Sequence, residues 1–314
     1  NVKRIKPSVY QPYDLQREVY TDLLWAFEGI TSYYDDLALL RSGLIDAESY
    51  LELLAQTITR VQRGSGRLRQ SAAESSFNAW TKFYQQDENA ANAIVSYYAK
   101  GSLIAACIDL KIRQLTASQQ SLDDVMRRLW QGYREQGRGV EPDSIQQLVS
   151  EIAGQELGPF LAELIDGTGE LPLDELLGLV GIEMLQRTAK NSQDKGGKEV
   201  EGDLPTVDLG AVLKDGETGL TIQRVTEAGS AQNAGLSAGD QIIAFDGLKL
   251  SLGQLEKRLL RASPAEVWQV HAFRRDELHL FEVRLQVAAE STCVLKINDQ
   301  QQEARKSWFQ RDAW

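Results

Sequence analysis

The chain changes its hydrophobic rhythm once. Up to about residue 188 apolar side chains recur three and four positions apart, the spacing of helices, and from Val207 they alternate with polar ones, the spacing of strands. The stretch Leu23-Leu24-Trp25-Ala26-Phe27-Glu28-Gly29-Ile30 is apolar nearly all round, which predicts a helix buried among other helices. We place that helix at Leu15 to Leu40, after an extended lead-in through Pro7 and Pro12 that cannot be helical. Asp46 is expected to cap a second helix with the stripe Tyr50, Leu51, Leu54 and Ile58, ending at Gly64-Ser65-Gly66. Ser102 to Leu115 is apolar on one face, and Gly101 before it would allow close approach to a neighbouring helix. Ser121 with Asp124 reads as a capping box and Asp143 as a further cap, with helices over 145–152, 156–165 and 173–185. Residues 190–202 have almost no apolar side chain and predict a mobile linker or long exposed loop. Beyond it, Leu220–Val225 and Gln241–Phe245 predict strands, and Val267–Phe273 with Leu280–Val287 a hairpin turning at Arg275-Asp276-Glu277. Phe281, Val283, Leu285 and Val287 should face inward there, and Leu252 to Arg261 should form one amphipathic helix.

Composition narrows the classes. A length of 314 residues with 42% hydrophobic and 25% charged side chains fits two ordinary globular domains. No apolar run approaches the ~18 residues of a membrane span, and the basic start Asn1 to Pro7 lacks the apolar core of a signal peptide. A net charge of -11 argues against a nucleic-acid partner, whose phosphates demand basic patches. Cys107 and Cys293 fall in what read as different domains and form no disulfide framework, which favours a reducing compartment, the cytoplasm. The two histidines, His271 and His279, lie on predicted strands and read as strand-face residues. No complete zinc site can be assembled from these residues, since a catalytic zinc takes three protein ligands. With no histidine before position 271, a serine-protease triad has no support.

Glu28 is the residue that needs a reason. A carboxylate flanked by Trp25, Phe27 and Ile30 costs several kcal/mol in desolvation unless something compensates it. Two explanations stand: a buried ion pair with a neighbouring Arg or Lys, or a metal.

Trp25-Ala26-Phe27-Glu28-Gly29-Ile30-Thr31-Ser32-Tyr33 resembles the W-x-x-E-G-x-x-x-Y helix of the gluzincin metallopeptidases. The closer resemblance is to the glycyl aminopeptidase family of that clan, in which Asn1 to Pro7 is similar to the segment that follows the His-Glu-x-x-His-x-Trp motif. The resemblance implies that Glu28 is the third ligand of a catalytic Zn2+. The two histidine ligands and the general-base glutamate would lie upstream, just before Asn1, with the strand-bearing half of the catalytic domain. Tyr98-Ala99-Lys100-Gly101 resembles the clan's Y-x-K-G motif, which implies that the Tyr98 hydroxyl stabilises the oxyanion of the tetrahedral intermediate. On periodicity alone Tyr98 is a core tyrosine. In the family, Ser75 to Trp80 also lies near the active site, with no assignable chemical role. The family prefers a small N-terminal residue, Gly or Ala.

The second domain carries its own signature. Gly229-Ser230-Ala231-Gln232-Asn233-Ala234-Gly235-Leu236-Ser237-Ala238-Gly239-Asp240-Gln241-Ile242-Ile243-Ala244-Phe245-Asp246-Gly247 resembles the core motif of bacterial PDZ domains, in which the glycines stop a short helix and turn the chain into and out of a strand. Such a domain adds an extended peptide to a strand edge and binds its terminal carboxylate on backbone N–H groups. Leu209, Gly210, Ala211 and Val212 match that loop and edge, and Leu255 and Leu259 would line the pocket for an apolar terminal side chain. The groove could instead be filled from within, by a loop or by the tail 291–314, whose Trp308, Phe309 and Trp314 should dock somewhere.

The expected fold is multi-domain α plus β: the all-α lobe of a thermolysin-like gluzincin catalytic domain over 1–188, a linker over 189–205, a PDZ domain over 206–289 and a tail over 290–314. The expected function is that of the C-terminal portion of a zinc aminopeptidase whose partners are peptides or protein C-termini and the upstream part of the same protein. The rival expectation is a non-catalytic, peptide-binding adaptor.

Overall fold

The computed structural model describes residues 4–298 and 300–310. Helices α1 (Leu24–Arg41), α2 (Ala47–Gln62), α3 (Ala72–Phe77), α4 (Ala90–Ala93), α5 (Tyr97–Leu115), α6 (Leu122–Gln136), α7 (Ser144–Ala153), α8 (Gly158–Ile165) and α9 (Leu173–Gly178) form the first lobe. Helix α1 begins well after Leu15, because Thr21 Oγ1 accepts the Leu23 N–H at 3.2 Å and Ser76 Oγ accepts the Trp25 N–H at 2.8 Å. These hydroxyls satisfy donors that a longer helix would have paired internally.

Helices α1 and α5 cross at two glycines. A Cβ on Gly29 would lie 2.5 Å from the Gly101 carbonyl carbon, and one on Gly101 would lie 2.6 Å from the Trp25 carbonyl oxygen. Only hydrogen at both positions allows the backbones to touch. Around this contact Trp25, Ile30, Leu103, Ile104 and Ile108 are buried.

Asp46 caps α2 through the Ser49 N–H at 2.8 Å, and Ser121 with Asp124 makes the reciprocal box of α6. Asp143 occupies the cap position of α7 without a side-chain bond, because its backbone is already helical (φ -87°, ψ -4°), whereas a capping side chain needs an extended one.

The expected helix 173–185 is a helix and a strand. After α9 the chain turns at Gly181 (φ +70°) into β1 (Ile182–Arg187). The second domain follows: β2 (Val207–Asp208), β3 (Ala211–Asp215), β4 (Leu220–Val225), α10 (Ser230–Asn233), β5 (Gln241–Phe245), α11 (Leu252–Leu259), β6 (Val267–Arg274), β7 (Glu277–Arg284) and β8 (Gln286–Val287). Then β9 (Thr292–Ile297) and α12 (Gln302–Phe309) return to the first lobe. Strand β9 pairs antiparallel with β1 from Ile182↔Ile297 to Arg187↔Thr292, so β1 owes its conformation to a partner from the far end of the chain. In α12, Trp308 is fully buried and donates from Nε1 to the Tyr33 hydroxyl at 2.7 Å, which in turn donates to Asp109 Oδ2 at 2.7 Å. Arg113 holds Asp109 and the Ser307 carbonyl together. The tail therefore docks in the helical core, as its aromatic content required; Trp314 lies outside the described residues. Cys293 of β9 lies in the same apolar core as Cys107, so the two thiols do not belong to separate domains.

The second domain is thus inserted between β1 and β9. Its main sheet has the order β3-β4-β5-β6-β7, with β3 at one edge, and β2 pairs with β8 separately. Trp268, Phe245, Leu236, Leu255 and Val283 fill its core. Gly235, Gly239 and Gly247 all take positive φ, the turns their motif implied. Phe281 packs against the core and Val283 and Leu285 are buried, but Val287 is 71% exposed. The ladder breaks between β7 and β8, and the alternation loses phase there.

Residues 190–202 are not a free linker. The Asp194 carboxylate accepts from Arg187 and from the Lys190 and Gly196 N–H groups, while Arg63, directly after α2, donates to the Asp194 carbonyl at 2.6 Å. The polar composition that predicted mobility supplies these anchors. The side chain of Asn92 in α4 joins the domains, donating to the Val225 carbonyl at 2.9 Å and accepting the Glu227 N–H at 3.1 Å, and Arg69 pairs with Glu227. Among the described residues no helix is long and apolar enough to cross a membrane.

Two outcomes are expected. Gly29→Ala should lower unfolding stability by about 1 to 3 kcal/mol or more, since backbone must move to admit the methyl; urea denaturation measures it. Burial raises the Asp194 pKa, but the Arg187 guanidinium and the two N–H groups outweigh this and hold it at about 2. Its folded pKa lies below the unfolded one, so its stabilisation is present above about pH 4 and is lost as pH falls through about 2. Asp194→Asn should show a shallower fall in urea midpoint across that window.

Candidate functional site

The Gly29–Gly101 contact decides what stands at the mouth of the α1/α5 pair. Glu28 immediately precedes one glycine and Tyr98 stands three residues before the other, a spacing that puts Tyr98 one turn ahead on α5. Glu28 is half-buried, and among the described residues no cation pairs with it and no donor hydrogen-bonds it. The buried ion pair that would have explained it is not formed there. Its charge is nonetheless felt by two phenols. Burial first, then the Tyr84 hydrogen bond and the charges of Glu28 and Tyr84, raise the Tyr98 pKa to about 12, against a weaker lowering by Tyr97. Tyr10, in the lead-in, is raised by burial, then by Tyr13, Glu28 and Tyr84.

Tyr98 is half-buried rather than a core residue. Its ring stacks on Tyr97 at 4.5 Å between centroids, and its hydroxyl lies 3.2 Å from that of Tyr84. Tyr97, fully buried, donates to Tyr84 at 3.1 Å. Tyr84 accepts from Tyr97, and either hydroxyl can donate in the Tyr84–Tyr98 bond; when Tyr84 donates, the Tyr98 proton is free for another acceptor. Tyr84 sits on a single 3-10 turn, Phe83–Gln85, and is 64% exposed. Nothing in the local spacing singles it out; it becomes visible only when the loop is folded onto α5.

Lys100 of the Y-x-K-G stretch plays a different part. It is buried, its ammonium donates to the Gly167 carbonyl at 3.2 Å, and burial lowers its pKa. It ties α5 to the loop between α8 and α9. The stretch 75–80 also acquires a role: Ser76 caps the start of α1, Ser75 donates to the Val95 carbonyl at 2.6 Å, and the Trp80 indole donates to the Val19 carbonyl at 3.3 Å. These bonds position the ends of both α1 and α5.

Among the described residues no group of three or more His, Cys, Asp or Glu side chains is gathered to hold a metal. His271 and His279 stand on β6 and β7 of the second domain. Glu28 is therefore a single anionic oxygen donor, unpaired within the described residues, and such a donor fits one position in the coordination shell of a zinc ion.

In the second domain, Ala211 and Val212 lie on edge strand β3 facing α11, where Leu255 is buried and Leu259 partly so. Leu209 sends its side chain into the core and leaves only its backbone to the loop. Gly210 (φ +68°) approaches Gly229 too closely for a Cβ, which would lie 2.9 Å from Gly229 Cα. A cleft of about 1890 Å³ runs between this groove and the helical lobe. The described residues of the tail are docked in the helical core, not in the groove.

Residues 1–104 match the M61 glycyl aminopeptidase family, and residues 207–285 match the PDZ domain. The crystal structure of an aminopeptidase N family protein from Idiomarina loihiensis is similar over 99% of this chain, at 41% identity and a TM-score of 0.93. This chain covers 52% of that one, about half its length. A serine endoprotease from Yersinia pestis matches 27% of this chain and 30% of its own at 16% identity, with a TM-score of 0.25. No curated protein sequence matches. The chain carries a glycyl aminopeptidase-family region at its N-terminal end and a PDZ domain after it, arranged as in the Idiomarina aminopeptidase N family protein.

Proposed function

We propose that this chain is the helical half, with PDZ domain and docked tail, of a zinc-dependent aminopeptidase that removes small N-terminal residues, Gly or Ala, from peptides. The observation that carries the reading is the Glu28 carboxylate, left without a partner among the described residues, next to the Gly29–Gly101 contact and within electrostatic reach of Tyr98. Glu28 would hold the zinc as one of its ligands, the others coming from outside this chain. When bound, the metal supplies Lewis acidity toward water and the scissile carbonyl. Tyr98, with a pKa of about 12, keeps its proton at neutral pH and can donate it to a developing oxyanion. Tyr84 holds that hydroxyl in place, so little reorganisation is needed when charge develops. The PDZ groove would hold an extended peptide by strand addition along β3.

This chain alone should retain far less than one zinc per molecule after gel filtration, since one carboxylate does not make a three-ligand site; stoichiometric metal that disappears in Glu28→Ala would reveal ligands not recognised here. In a protein that also contains the His-Glu-x-x-His helix, Glu28→Ala should lose metal and activity together. Tyr98→Phe should keep its metal and lose roughly 100- to 1000-fold in kcat. If kcat stays within about threefold of the parent, Tyr98 is only a packing residue.

A further inference from the structure

The PDZ loop that would receive a peptide's terminal carboxylate already has one. The Gly210 N–H, central to Leu209-Gly210-Ala211, donates to Asp208 Oδ1 at 2.9 Å. Asp208 is exposed, and its carboxylate takes a loop N–H of the kind a terminal carboxylate would use. A second carboxylate lies across the groove on α11: Glu256, which accepts from both the N–H and the hydroxyl of Ser192 at 3.1 and 2.8 Å. Asp208 and Glu256 both line the cleft, with Leu213, Leu255 and Leu259 between β3 and α11. Basic side chains also line the cleft, among them Arg60, Arg63 and Arg224, but acidic ones outnumber them, and Arg63, which feels the Asp208 charge, already gives its guanidinium to the Asp194 carbonyl and to Thr292. A free C-terminus would meet an occupied donor and like charges, each unfavourable.

The cleft does not end at the loop. It continues along the helical lobe past Arg60 and Ala99 to Phe83, whose ring packs on both Tyr97 and Tyr98. A chain lying on β3 therefore has room to run on past Asp208.

We propose that this groove binds an extended peptide segment that passes through the cleft between the two lobes, and that Asp208 excludes free C-termini from it by occupying the Gly210 N–H with its own carboxylate. The inference rests on the groove being a peptide site. What it adds is the class of peptide: a through-running segment, neutral where it crosses Asp208.

The test uses the full chain and a fluorescent hexapeptide ending in Leu, prepared as the free acid and as the C-terminal amide, with affinities from anisotropy. The parent should bind the amide at least as tightly as the acid. Asp208→Ala should tighten the acid by roughly tenfold and leave the amide within about twofold, which also shows that the groove is still folded. Asp208→Asn retains an oxygen acceptor for Gly210 but no charge, and should give a smaller gain for the acid alone. A parent that binds the acid fivefold or more tighter than the amide, or an Asp208→Ala variant with no gain for the acid, overturns the exclusion. If neither peptide binds the parent or either variant, the groove is not a peptide site, and the failure lies with that reading rather than with Asp208.

Discussion

Two facing hydrogens set the geometry of the first lobe. Gly29 and Gly101 let α1 and α5 approach until backbone meets backbone, and a methyl group at either position would overlap main-chain atoms that no rotamer change can move. Side chains next to such a contact are placed by the backbone itself. Glu28 and Tyr98 occupy those neighbouring positions, and Ser76, bonded to the Trp25 N–H, fixes where α1 starts. The constraint is steric and local, yet it fixes the backbone positions from which Glu28 and Tyr98 project.

The second organising feature is how the PDZ domain is held. Its two connections leave the helical lobe through paired strands, β1 and β9, and the departing segment is pinned by Asp194 and Arg63. Asn92 and the Arg69–Glu227 pair add a further attachment. A domain tethered at one end would be free to swing. Here the tail returns to the first lobe and buries Trp308 against Tyr33 and Tyr50, so separating the domains means breaking several polar contacts at once. The groove consequently faces the helical lobe across a defined cleft.

Much of this was written in local pattern. The all-round apolar stretch containing Glu28, the caps at Asp46 and Ser121, the change from helical to alternating rhythm, and the glycine positions of the PDZ motif depend on neighbours within a few residues, and each formed as its spacing required. The PDZ hairpin formed with its turn at Arg275-Asp276, and its alternation failed only at Val287, where the ladder breaks.

What the tertiary structure alone decided has one physical character: a partner distant in sequence. Strand β1 exists because β9 returns to pair with it, and without that partner its residues continued a helical pattern. The early residues of the expected first helix are not helical because two hydroxyls, one of them from α3, take the donors of its first turn. Residues 190–202 are held by groups on α2, β1, β9 and α11 that no window along the chain contains. Tyr84 enters the site through hydroxyls on α5, and Cys293 enters the core of Cys107 with β9. The sequence by itself determined which segments fold and which residues carry unusual chemistry, since both follow from side-chain type and short-range spacing. Only the folded chain determined which of those residues meet, because that depends on how far two backbones can approach, and here two glycines set the limit.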